Sequence, residues 1–240
     1  APKTWVGVYD NVFLEKAAEL IQKDNPDQLS FHFVYTTSYH GPFKINLKKY
    51  GYDTEAVMPN APEDIKQSKE LQKNLGTFWL SDQAIGNFID TMRKVYPDSL
   101  FIVTADHAIT MTPLKKTSLM NRDCSIRERH CPVFMLNHRD LDQSIFAGNT
   151  IGSHMNIMPT IFELIAPKGF TYYSLFSSLT EPIDHLVSPY HWLRPDAYGT
   201  FENNFYQPLG ENHAENEICE GPIPYIAENE AWKNLTGYMV

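Results

Sequence analysis

Leu100-Phe101-Ile102-Val103 is an unbroken apolar run, and the chain leaves it through Thr104-Ala105-Asp106-His107. Four apolar residues in a row do not suit a strand with one wet face; they suit a strand covered on both faces. Strands of that kind lie in sheets sandwiched between helices, where ligands collect just past the carboxyl ends of the strands. The run therefore points to an α/β fold and also marks residues 106 and 107 as a place to look for chemistry. Val133-Phe134-Met135-Leu136 repeats the pattern, and Phe31-His32-Phe33-Val34-Tyr35 is a third β-prone segment.

Helical patterns separate these runs. Phe13, Ala17, Leu20 and Ile21 share one face of a helix that Asp10 or Asn11 can cap. Residues 63–75 are polar and helical in character. A more amphipathic helix follows to about Lys94, with Phe78, Ile85, Phe88, Ile89 and Met92 as its stripe. Pro159 sits in the first turn of a helix through Ile161, Leu164 and Ile165. Strands alternating with helices predict a mostly parallel sheet with helices on both sides.

Composition narrows the function. The 240-residue chain carries 20 Lys and Arg against 29 Asp and Glu, net −9, with no basic run, which argues against nucleic acid as a partner. No stretch of about 18 apolar residues is present to cross a membrane as a helix. The three cysteines, Cys124, Cys131 and Cys219, form no CxxC pair, so neither a zinc ribbon nor a disulfide framework is expected; one bridge plus a free thiol remains open. Charge is uneven: residues 181–240 hold ten acidic and two basic residues together with nine aromatics. Disordered tails are poor in aromatics, so residues 181–240 read as an irregular acidic, aromatic-rich extension packed on an α/β body spanning 1–180.

Two strand ends carry chemistry. A loop leaving the strand at Thr104 can turn Asp106 and His107 toward one ion, and a carboxylate with an imidazole suits Mn²⁺ or Zn²⁺ better than Ca²⁺ or Mg²⁺. The same pair also suits a capped turn beside a hydrogen-bonded core histidine. The second strand end is Thr37-Ser38-Tyr39-His40-Gly41-Pro42-Phe43, where His40 can donate to an anionic oxygen or act as a general acid.

Leu100 to His107 resembles the strand-plus-Asp-His metal motif of the sulfatase and lipoteichoic acid synthase branch of the alkaline phosphatase superfamily. Trp5-Val6-Gly7-Val8-Tyr9-Asp10 resembles that branch's WGV-x-D helix entry, and Thr37 to Phe43 its substrate loop with His-x-Pro-Phe. Ser81 through Asp90 is similar to its D-x-A-I-G-x-F-I helix. Arg127-Glu128-Arg129 with Cys131-Pro132-Val133-Phe134 resembles its E-R…V-P-F strand entry, and Gly152 through Thr160 its S-x-x-D-I-x-P-T helix start. The elements follow the family's order over roughly residues 5–165.

The resemblance implies an alkaline phosphatase-like fold and a metal-dependent hydrolase or phosphotransferase acting on phosphate or sulfate esters, of the lipoteichoic acid synthase or phosphoglycerol transferase type. Asp106 and His107 would be metal ligands, and His40 would contact the substrate. The family's nucleophile and an acidic ligand precede the WGV-x-D element, while only four residues precede Trp5 here. The expectation is thus the carboxyl-terminal part of a catalytic domain, without the nucleophile and with an uncovered surface available for self-association. The alternatives are a catalytically inert fragment or binding module, and an unrelated α/β metal hydrolase using His40, Asp106 and His107 together. The resemblance also implies the extracytoplasmic face of the cell envelope. Asn156 stands where the family usually has Asp, and Lys115 or Lys116 stands near a sulfate-binding lysine of some sulfatases.

Overall fold

The structure is a computed structural model that describes residues 2–24, 28–107, 134–146, 151–209 and 217–238. The chain divides into two compact units, Ala1–Leu141 and Asp142–Val240. Lys115, Lys116, Cys124, Cys131 and the Arg127–Val133 part of the strand entry lie outside the described residues.

The first unit is built on two packed helices, α1 (Asp10–Ile21) and α4 (Lys69–Val95), with the short α2 (Thr54–Val57) and α3 (Glu63–Gln67) between them. Ser68 separates α3 from α4 and caps α4, its hydroxyl accepting the Leu71 N–H. The face of α1 turned inward carries Asp10, Leu14 and Ala18, one residue round from the expected Phe13, Ala17 and Leu20. Asp10 causes the rotation, because its carboxylate is drawn inside by hydrogen bonds rather than left at the helix mouth.

The buried face of α4 likewise differs from the expected stripe. Leu71, Asn74, Thr77, Leu80, Ser81 and Ala84 are inside along with Ile89 and Met92, while Phe78 is half exposed against the Tyr39 ring. Small and polar residues let α1 come close. Gly76 does the same for Leu47 and Tyr52: a Cβ there would stand 2.4 Å from Leu47 Cδ1 and 3.0 Å from Tyr52 Cε1. At the far end of the pair the Tyr96 hydroxyl donates to the Ile21 carbonyl at 2.8 Å.

Strands β1 (Phe101–Thr104) and β2 (Phe134–Asn137) confirm two of the three expected β segments, but they pair antiparallel, Phe101 opposite Asn137 and Thr104 opposite Phe134. Every strand pair among the described residues is antiparallel, in place of the mostly parallel sheet expected. A continuous apolar run reports burial, not the direction of the neighbour. Residues 31–35, the third expected β segment, join neither sheet. Leu29, Phe31, Phe33 and Tyr35 alternate along this segment and all face solvent, Phe33 at 81%.

The second unit begins with α5 (Ile157–Ile165), entered through a 3-10 turn at His154–Asn156, and Pro159 lies in its first turn as expected. Residues expected to be irregular form a five-stranded antiparallel meander: β3 (Leu186–Val187), β4 (His191–Leu193), β5 (Ala197–Thr200), β6 (Phe205–Pro208) and β7 (Cys219–Glu220). Trp192 fills its covered face, with Gly199 beneath the indole, where a Cβ would stand 2.4 Å from Cζ2. Helix α6 (Ile226–Tyr238) docks on the meander through Asn229, which donates to the Ser188 and Pro189 carbonyls, and Trp232, which donates to the Val187 carbonyl.

Candidate functional site

Thr104 ends β1, and the chain turns out of the sheet at once. Asp106 Oδ1 accepts the His107 N–H at 2.9 Å, and Asp106 Oδ2 stands 3.5 Å from His107 Nε2. The turn brings the carboxylate and the imidazole to the same side, where an extended strand would have sent them to opposite faces. Both side chains are exposed, Asp106 at 60% and His107 at 73%, so His107 is not a core histidine. One carboxylate oxygen of Asp106 thus holds the next backbone N–H, while the other faces the imidazole.

The loop from Thr37 to Phe43 is held from below. Asp10 Oδ1 accepts the N–H groups of Thr37 and Ser38 at 2.9 and 3.0 Å, and Ser38 Oγ accepts the Asp10 N–H at 2.7 Å. Ser81 on α4 donates its hydroxyl to Asp10 Oδ2 at 2.8 Å. Gly7 lies so close to Thr37 that a Cβ would meet Oγ1 at 2.6 Å, so a side chain there would displace the Thr37 hydroxyl. Tyr39 donates to Asn74 Oδ1 at 2.7 Å and packs against Phe43 and Phe78; burial pushes its hydroxyl up to about 12, so it stays a donor at neutral pH.

His40 stands at the exposed crest of this loop. Its Nδ1 is 2.9 Å from the Gly41 carbonyl, which can only accept, so in the neutral ring Nδ1 carries the proton and Nε2 is the acceptor nitrogen. Trp5 donates its indole N–H to the same carbonyl at 2.8 Å, and its ring meets the imidazole edge-on at 5.3 Å. The Gly41–Pro42 peptide is cis.

The two groups thus occupy separate loops of one unit: Asp106 beside His107, and His40 beside Trp5. His154 lies in the second unit, exposed at the start of its 3-10 turn. Residue reading alone missed Asp10, Ser38 and Ser81 as supports of the His40 loop. In the sequence Asp10 is legible only as a helix cap or as the end of the WGV-x-D element, and the two serines only as members of the loop and helix motifs.

The sulfatase family model matches residues 2–166 of the 240. The chain belongs to the sulfatase family. The lipoteichoic acid synthase LtaP from Listeria monocytogenes shares its fold, with a TM-score of 0.61 and 18% identity over 97% of this chain. The chain spans 58% of the length of that solved relative. No curated protein matches.

Sulfatase-family proteins generally use a divalent metal. Asp106 and His107 fit such an ion in kind, one hard oxygen and one imidazole nitrogen. They also fit in spacing, since donors ~2.1 Å from a tetrahedral centre are ~3.4 Å apart. Among the described residues no third His, Cys, Asp or Glu joins them.

Proposed function

We propose that this sulfatase-family chain is part of a metal-dependent hydrolase or phosphotransferase acting on phosphate or sulfate esters, of the lipoteichoic acid synthase or phosphoglycerol transferase type. The observation that carries the reading is the Asp106–His107 pair, turned to one side where β1 emerges, within a sulfatase match that begins at residue 2. In this reading Asp106 and His107 hold the ion, with Mn²⁺ or Zn²⁺ preferred over Ca²⁺ or Mg²⁺ for an oxygen-plus-nitrogen donor set. When bound, the ion supplies Lewis-acid stabilisation of charge on the ester oxygens.

His40 is the substrate contact. With Nδ1–H committed to the Gly41 carbonyl, its Nε2 accepts a proton or, once protonated, donates to an anionic ester oxygen. Trp5 braces the ring edge-on and shares the Gly41 carbonyl with it. The placement that goes with this activity is the extracytoplasmic face of the cell envelope. No helix among the described residues is long and apolar enough to cross a membrane.

A second reading is favoured by the two-membered donor set: the 240 residues form a scaffold and substrate loop that bind without turning over. Hydrolysis of para-nitrophenyl phosphate and para-nitrophenyl sulfate with added Mn²⁺ separates the two. Turnover that disappears in both Asp106→Ala and His40→Ala supports the enzyme. No turnover, with phosphate still perturbing the His40 ring, supports the binding scaffold.

A further inference from the structure

We propose that Asp10 is a positioning residue for His40: its buried carboxylate fixes the backbone at Thr37 and Ser38 and so sets where the imidazole two residues further on stands. The proposal rests on the reading of His40 as the substrate-facing group. Asp10 is 1% exposed and never meets a ligand itself. Nor does its carboxylate cap its own helix, as an aspartate at a helix start usually would, and the N-cap residue Tyr9 makes no side-chain cap bond. Instead Oδ1 reaches across 27 and 28 residues to two consecutive backbone donors, and Oδ2 is filled by Ser81 from α4.

The contact is reciprocal. The Asp10 N–H is among the helix donors that have no partner within the helix, and Ser38 Oγ accepts it. Helix start and loop therefore lock as a pair, with Ser38 itself 1% exposed. Tyr39, the next residue, is pinned to Asn74. With both preceding residues tied to α1 and α4, His40 is delivered to the surface at one point, where Trp5 and the Gly41 carbonyl set its ring orientation. A serine hydroxyl in place of the carboxylate could not bind two amides and a third donor from the inside at once.

Amide hydrogen exchange by NMR on the 240-residue chain tests this, with the His40 ring resonances read in the same samples. In Asp10→Ala each of the two amides loses a charge-assisted bond and exchanges about tenfold faster or more. Amides of α4 between Leu80 and Ile89 keep their wild-type rates, and the His40 ring resonances shift or broaden. Asp10→Asn keeps a carbonyl acceptor with weaker, uncharged bonds and gives an intermediate acceleration at the same two amides. It carries the test alone if Asp10→Ala does not fold. Unchanged rates at Thr37 and Ser38 in the folded variants would overturn the proposal. So would acceleration spread evenly over the whole unit with the His40 ring unaffected. Titrating the wild type with inorganic phosphate tests His40 separately: no shift at its ring removes the substrate reading and leaves the clamp to be judged by the exchange rates.

Discussion

Asn156 stands where sulfatase-like sequences are expected to carry Asp, and the structure makes Asn156→Asp a quantitative experiment. The residue is 1% exposed. Its Oδ1 accepts the Ser153 N–H at 2.8 Å and the Ser153 hydroxyl at 3.1 Å, while its Nδ2 donates to the Ser177 carbonyl at 2.8 Å. Both partners fix the amide's orientation, since an N–H only donates and a carbonyl only accepts. An ionised aspartate would aim an acceptor at the Ser177 carbonyl in a buried site. A protonated aspartate would keep all three bonds. Holding it protonated at pH 7 against an ordinary value of ~3.9 takes ~3 pH units, or about 4 kcal/mol at ~1.4 kcal/mol per unit.

The sign follows. The variant's carboxyl is raised in the folded state, so its stability matches the wild type below pH ~4 and falls behind by ~1.4 kcal/mol per unit as pH rises. Asn156→Ala loses the same bonds at every pH and gives a flat deficit. Urea unfolding followed by tryptophan fluorescence, with Trp192 and Trp232 reporting on the same unit, measures all three proteins from pH 4.5 to 7.5. A pH-independent deficit for Asn156→Asp, or one under ~1 kcal/mol at pH 7, would refute the assigned donor to Ser177.

Two further outcomes follow from other parts of the molecule. His185 stacks on Tyr225 and lies between Asp184 and Glu228, with Nδ1 2.8 Å from Asp184 Oδ1 and Nε2 3.0 Å from Glu228 Oε2. Burial disfavours its charge, but the hydrogen bonds to Glu228 and Asp184 outweigh that and raise its pKa. Its support for the docking of α6 is therefore full below pH ~6.5 and fades as pH rises through the raised value. The unfolding free energy from urea titrations falls by up to ~1 kcal/mol between pH ~6 and ~8.5, and His185→Gln reduces that fall. The exposed row of Leu29, Phe31, Phe33 and Tyr35 is expected to drive self-association of the chain, which Phe33→Glu reverses in sedimentation velocity; a wild-type chain that sediments as a monomer contradicts this.

What could be read before the fold was known follows distance along the chain. The strand at Phe101–Thr104 and the turn at its exit were legible because an apolar run and its end are local features. The α5 start was legible from Pro159 for the same reason. The Asp10 clamp was not, because its partners lie 27, 28 and 71 residues away and only packing of α1 on α4 brings them together. That clamp also explains the misplaced helix faces: Asp10 and Ser81 are polar residues on buried stripes, so a count of apolar positions turns both helices the wrong way. The direction of the sheet was hidden because β1 and β2 are equally apolar either way round. The meander was hidden because its strands are two to four residues long, too short for alternation to register.

Divalent-metal calorimetry on the 240-residue chain, comparing wild type with Asp106→Ala and His107→Ala, tests the candidate centre most directly. With two donors in place, Mn²⁺ and Zn²⁺ should bind measurably but weakly, more tightly than Ca²⁺ or Mg²⁺, and both substitutions should abolish the heat. Binding that persists undiminished in the two variants would place the metal elsewhere and contradict the assignment of Asp106 and His107.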